Sequence, residues 1–224
     1  MESRMKSFSE FKKTTTDLSE LVYKTASDFN DSRIMNEEVV LFDMTQPFDI
    51  DPPTSNDSEE TYAEVLEIAD YVELSSPTDK QLSKEYDTST FSNAFIDYCI
   101  NNNLPINESK IVKMTKEMSI IDRQIKYQFN RPRPSQIAEA RGIKFPQVDS
   151  NTADTPSYPS GHALASRVFS LYLSNIFPAH KQEFLNIEEQ IGLSRMRLGV
   201  HFPSDIETGA SVGNQLYQRL KDKT

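Results

Sequence analysis

The chain has 224 residues, 37% of them hydrophobic and 10% aromatic, with no Trp; that composition suits one globular domain with a substantial core rather than a disordered chain. A formal net charge of −10 argues against general nucleic-acid binding, and no run approaches the roughly 18 consecutive apolar residues of a membrane-spanning helix. Cys99 is the only cysteine, which excludes an internal disulfide.

In chain order, residues 1–13 mix charges with Ser and Phe and lack the apolar stretch of a secretory signal. The spacing of Phe8, Phe11, Leu18, Leu21, Val22 and Phe29 predicts one amphipathic helix over 8–29. Residues 28–60 then hold ten Asp/Glu against the single basic Arg33, a charge of −9 that leaves the remainder nearly neutral. An anion site can therefore exist elsewhere without opposing the field of its own domain. The segment reads first as a solvated loop, with a lid or a dimer arm as alternatives. Within it, Val39-Val40-Leu41-Phe42 predicts a short extended piece, and Asp51-Pro52-Pro53 a turn. The expected organisation is an N-terminal helix and acidic loop over 1–58, packed on a helical core over 59–224.

From residue 59 onward the pattern is helical. Tyr62, Val65, Leu66, Ala69 and Val72 share one face, as do Phe91, Phe95, Ile96, Cys99 and Ile100. Cys99 among these apolar residues reads as a buried core thiol. Ile111, Met114, Met118, Ile121, Ile125 and Phe129 mark a long helix that must stop before Pro132 and Pro134. Further helices are predicted over 163–177, 180–199 and 203–220, the last with Gly209, Ala210 and Gly213 available for close packing. Strand signals are few, so the expected fold is all-α, a single-domain helical bundle.

Three clusters carry chemistry. Lys126 near a helix end is followed by Arg133-Pro134, where prolines restrain a guanidinium whose fork matches two phosphate oxygens. Pro159-Ser160-Gly161-His162 stands at a loop-to-helix junction, where free N–H groups suit an anion and Gly161 permits close approach. Ser194-Arg195 precedes His201, and Pro203 forces a reversal that can bring the Asp205 carboxylate onto one ring nitrogen of His201. Each cluster alone has an ordinary structural explanation; their joint occurrence in this order is what points to a phosphate site.

These residues resemble the three-part signature of the type 2 phosphatidic acid phosphatase and vanadium haloperoxidase superfamily, with every signature position matched between residues 126 and 205. Asn130-Arg131-Pro132-Arg133-Pro134 in a compact chain is also similar to phosphatase-like proteins of bacteriophages. The missing secretory signal and membrane span, with the single cysteine, make the cytoplasm the expected location, that of the host if the chain is viral. The resemblance implies a helical bundle in which Lys126, Arg133, Ser160, Gly161 and Arg195 bind phosphate. It implies that His201 attacks phosphorus, Asp205 orients His201, and His162 protonates the leaving oxygen, all without a metal or other cofactor. The implied partner is a phosphorylated small molecule, not nucleic acid and not a membrane span, and a homo-oligomer stays open. Vanadate is expected as an inhibitor, or as the cofactor in the rival reading of a haloperoxidase. A phosphate-binding protein without catalysis is the third reading. His180 lies outside the motifs and is expected at the surface, while Asp154, Tyr158 and Phe202 flank them as candidate pocket residues.

Overall fold

The computed structural model describes residues 17–23, 38–146 and 149–223. Helix α1 spans Glu59–Leu74. The Ser58 hydroxyl accepts from Thr61 N–H at its start, a cap of about 1 kcal/mol, and Thr61, Val65, Ile68 and Val72 form its buried face. Helix α2, Pro77–Glu85, is capped by Ser76 with Pro in its first turn. Helix α3, Asn93–Asn101, buries Phe95, Ile96 and Cys99. Helix α4, Glu108–Phe129, is the long helix of the predicted pattern. It ends where Asn130 takes a left-handed conformation (φ 49°), one that Asn tolerates better than most residues.

Helix α5 covers Pro134–Ala140, α6 Gly161–Ile176, α7 Lys181–Arg197 and α8 Pro203–Arg219. Short 3-10 turns lie at Leu18–Glu20 and Pro178–His180. Helices α6 and α8 form the most extensive helix pair, and α6 also packs against α7 and α4. The close approach depends on two glycines. A Cβ at Gly209 would lie 2.5 Å from the Ser160 carbonyl oxygen, and one at Gly213 2.6 Å from that of Leu164. This contact holds the Ser160–His162 junction against the helix that follows His201.

Apolar side chains from α3, α4, α6, α7 and α8 make the main core, including Phe95, Met114, Met118, Phe169, Phe184 and Leu216. Each such side chain contributes roughly 1.5–3 kcal/mol through removal from water. A smaller cluster joins Val65, Ile137, Ala138 and Phe202 on the other side of the site. Cys99 is fully buried, and burial pushes its thiol up to about 11.

The N-terminal region departs from expectation. Within 17–23 there is one 3-10 turn and then extended Leu21, so an unbroken helix over 8–29 does not form; the remaining residues of that span lie outside the described ones. Tertiary partners take the groups a helix would use. Asn56 Nδ2 donates to the carbonyls of Leu18 and Leu21, and Tyr23 N–H donates to the carbonyl of Asn130. Residues 38–58 run across the bundle. Phe42 makes an isolated antiparallel bridge with Leu220, and the buried Glu117 carboxylate accepts from Val40 and Leu41 N–H at 3.0 and 2.7 Å. Arg219 donates to the carbonyls of Gln46 and Pro47.

Candidate active site

A cavity of about 540 Å³ opens between α4, the residues after α2, the 150–155 loop and the start of α6. Lys126, Arg133, Gly161, His162 and His201 line it, with Asp122, Arg123 and Asp154. Ser160, Arg195 and Asp205 are buried immediately behind these residues. The side chains singled out in the sequence therefore converge on one place, although they come from four separate segments.

His201 is set by two contacts. Its Nδ1 lies 3.2 Å from Asp205 Oδ2, and its Nε2 lies 3.1 Å from Arg133 Nη1. A guanidinium only donates, so Nε2 must present its lone pair and the ring proton must sit on Nδ1, facing Asp205. Burial first, then the cations Arg133, Lys126 and Arg195, hold the His201 pKa well below its ordinary value. The imidazole is neutral, with its basic nitrogen turned to the cationic side of the cavity.

Asp205 is fixed on both oxygens. Oδ2 also accepts from Phe202 N–H at 2.9 Å, which closes the first turn of α8. Oδ1 accepts from Arg131 Nη1 at 2.7 Å, in a pair with both side chains out of solvent. Arg131 reaches Glu64 and Ser204 as well and lies over the Phe202 ring at 4.0 Å. Sequence reasoning passed over Arg131; its position two residues before Arg133 was the available signal. Phe202 belongs to the small core cluster and Tyr158, 3% exposed, gives its hydroxyl proton to the Asp51 carbonyl, so neither shapes the cavity, whereas Asp154 lines it.

The cations are held from behind. The Lys126 ammonium donates to the carbonyls of Pro156 and Pro159 at 2.8 and 2.6 Å, with that of Ser157 at 3.3 Å. It thereby pins the loop ahead of α6 while keeping its charge beside the cavity. Arg133 donates to the carbonyls of Val200 and Thr155 at 2.6 and 2.9 Å, and burial pulls its pKa down to about 10. Arg195 Nη1 donates to Asp87 Oδ1 and Thr152 Oγ1, each at 3.0 Å. Its buried Nη2 has no hydrogen-bond partner among the described residues. A buried donor without an acceptor costs about 1–3 kcal/mol, so this nitrogen favours an anion within its reach.

Asp87, also unforeseen, gathers Ser150, Asn151 N–H and Thr152 as well as Arg195. Burial opposes its charge, but the bonds from Thr152, Asn151 and Arg195 prevail and lower its pKa. His162 packs against Phe91 with the rings tilted by 38° and their centroids 4.5 Å apart, and its Nε2 lies 3.1 Å from the Tyr86 carbonyl. With Nε2–H donating there, Nδ1 carries the lone pair. Burial, then Arg195, pushes the His162 pKa well below its ordinary value. Ser160 caps α6: its Oγ accepts from Ala163 N–H at 3.4 Å and its N–H donates to the Asp205 carbonyl at 2.8 Å. The Tyr158–Pro159 bond is cis. His180 is half-buried rather than at the surface, because its Nδ1 pairs with Tyr98 Oη at 2.9 Å.

A helical bundle with this constellation defines a class. Residues 112–216 match the PAP2 superfamily. The chain is similar to a non-specific acid phosphatase of Salmonella typhi, 34% identical over 76 residues, which are 34% of this chain and 30% of that protein. It is also similar to a lipid A 1-phosphatase of Rhizobium johnstonii, 27% identical over 89 residues, 40% of this chain and 36% of that one. The matches thus span about a third of the length of these relatives.

Among solved structures, a bacterial vanadium-dependent iodoperoxidase superposes with a TM-score of 0.60 at 20% identity, covering 77% of this chain and 52% of that one. A transmembrane PAP2-type phosphatidylglycerolphosphate phosphatase of Bacillus subtilis gives a TM-score of 0.52, also at 20% identity, over 74% and 86%. Both likenesses are of fold. Among the described residues no helix is long and apolar enough to cross a membrane.

Proposed function

We propose that this protein is a metal-independent phosphatase that hydrolyses phosphate monoesters or diphosphates through a phosphohistidine formed on His201. The observation that carries the reading is the His201 ring, with Nδ1 at Asp205 Oδ2 and the Nε2 lone pair on the cationic side of the cavity. Nε2 attacks phosphorus in line, an N–P bond forms and the ester P–O bond breaks. Asp205 stabilises the charge that develops on the ring. Lys126, Arg133 and Arg195, with the Ser160 hydroxyl and Gly161 N–H, offset charge on the non-bridging oxygens. Fixed donors of this kind need no reorganisation during reaction.

His162 gives its proton to the leaving oxygen and takes one from the water that then cleaves the N–P bond. Burial holds its pKa low, and Arg195 is the leading charge against protonation. A bound phosphate offsets that charge and raises the His162 pKa, so substrate itself arms the acid. The likeness to an acid phosphatase and a lipid A 1-phosphatase supports ester hydrolysis. The many hydroxyl and amide side chains around the cavity favour a soluble ester or a nucleotide over an apolar lipid.

The test is p-nitrophenyl phosphate turnover by wild type and His201→Ala. Loss of roughly 10³-fold or more in kcat, with the far-UV spectrum unchanged, is the expected result. Normal turnover by the variant sinks the reading. Activity should persist in EDTA, and vanadate, which mimics the five-coordinate transition state, should inhibit at or below about millimolar concentration. Vanadate-dependent oxidation of bromide by peroxide, in place of ester hydrolysis, would substitute the haloperoxidase reading.

A further inference from the structure

Asp122 has no role in the chemistry above, yet its carboxyl sits among the phosphate-binding residues. It lines the cavity with Lys126, Arg133, Gly161, His162 and His201, and the residue is only 9% exposed. Its Oδ1 is shut off from solvent, has no hydrogen-bond partner among the described residues, and lies 3.9 Å from Lys126 Nζ. That is too far for a hydrogen bond, and the ammonium protons are directed at the 156–159 carbonyls instead. The accessible part of the side chain is therefore the Oδ2 side. This oxygen presses on Gly161, where a Cβ would lie 2.5 Å from it. Glycine at the head of α6 thus makes room for the acid as well as for a ligand.

An ionised carboxylate here would repel a phosphate, whereas a carboxylic acid would add a donor. The groups facing it are Lys126 and Arg123 from its own helix, Arg133 from the turn before α5, and the head of α6 with Gly161 and His162. His201 and Asp154 border the same space. Burial raises the Asp122 pKa against the opposing pull of Lys126, Arg133 and Arg123.

We propose that Asp122 acts as a neutral acid that donates a hydrogen bond from Oδ2 to a phosphate oxygen, so that the site holds phosphate most tightly in acid and releases it as this carboxyl ionises. The proposal rests on the phosphate-site reading, not on turnover. The experiment is calorimetric titration of wild type, Asp122→Asn and Asp122→Ala with inorganic phosphate at about pH 5 and about pH 8, with thermal melting to establish that each is folded. Phosphate's own ionisation is common to the three proteins and cancels in the comparison.

The asparagine keeps shape and donor but cannot ionise. It should match wild type within about twofold in acid and bind about tenfold more tightly at the higher pH. The alanine, lacking the donor, should bind about tenfold more weakly than the asparagine at both pH values. Alanine binding as tightly as asparagine, parallel pH profiles for wild type and asparagine, or no phosphate binding by wild type would each overturn the proposal. Failure to hydrolyse any ester with this binding pattern intact would remove the phosphatase reading and leave the role of Asp122 standing. Turnover with parallel profiles would do the reverse.

Discussion

The two walls of the cavity are built differently. On one, His201, Arg133, Arg195 and Lys126 are buried and bonded to carboxylates or backbone carbonyls, so few of their polar groups can reorient. On the other, Thr88, Thr90, Asn93, Thr115 and Ser119 present small neutral side chains beside Lys116 and Arg123, and the rim residue Val112 is 61% exposed. Partners on that side are local, such as Thr115 Oγ1 donating one turn back to the Ile111 carbonyl. On the proposed phosphatase reading, reaction chemistry falls to the rigid wall and recognition of the leaving group to the other. Rigid donors lower the barrier only if they are already in place, whereas a leaving group is bound adequately by surfaces that adapt.

The sharpest way to break this comparison is to loosen the rigid wall from behind. Arg131→Met leaves Asp205 and Glu64 without their guanidinium, and stability should fall by about 3–5 kcal/mol because an unpaired buried carboxylate remains. Urea denaturation measures this, and activity should fall with it as Asp205 swings away from His201. An unchanged denaturation midpoint would mean that the wall is not held from Arg131.

A smaller effect is expected on the opposite wall. Asn93→Ala and Thr115→Ala should leave kcat within about threefold while shifting KM severalfold, and differently for different esters. A panel of phosphorylated metabolites supplies the measurement. A uniform collapse of kcat would erase the distinction between the walls.

The smallest effect is on stability against pH. His162 and His201 have depressed pKa values in the folded protein, so their contribution is full above the ordinary histidine value of 6.5 and is lost as pH falls below it. Asp122 works with the opposite sign, contributing most in acid and losing that contribution as pH rises through its raised pKa. The difference between wild type and the double variant His162→Gln/His201→Gln isolates the histidines. Wild type should lose at least about 3 °C more in Tm than the double variant between about pH 7 and about pH 5. Equal losses would show that the rings are not buried neutral.

The all-α class was legible because apolar residues recur at helical spacing over α1, α4, α6 and α8. Helices α2 and α5 were not, since α2 (PTDKQLSKE) buries only Ser83 and its one large apolar residue, Leu82, is 36% exposed. Their signals lay in the caps, Ser76-Pro77 and Arg133-Pro134. The 8–29 pattern misled for the converse reason. Its spacing is helical, but the carbonyls of Leu18 and Leu21 are taken by Asn56 and the N–H of Tyr23 by Asn130.

Sequence by itself singled out Lys126, Arg133, Gly161, His162 and His201, which line one cavity, because Pro, Gly and helix-end chemistry act over a few residues and leave fixed spacings. Tertiary structure alone decided how they are held. Arg131 finds Asp205 across 74 positions and Arg195 finds Asp87 across 108, while Asp122 meets Gly161 only because α4 crosses the head of α6. Such pairings leave no spacing in the sequence. They depend on which helix faces are buried together, and with them the tautomer of His201, the pinning of the cations and the acid at the cavity wall.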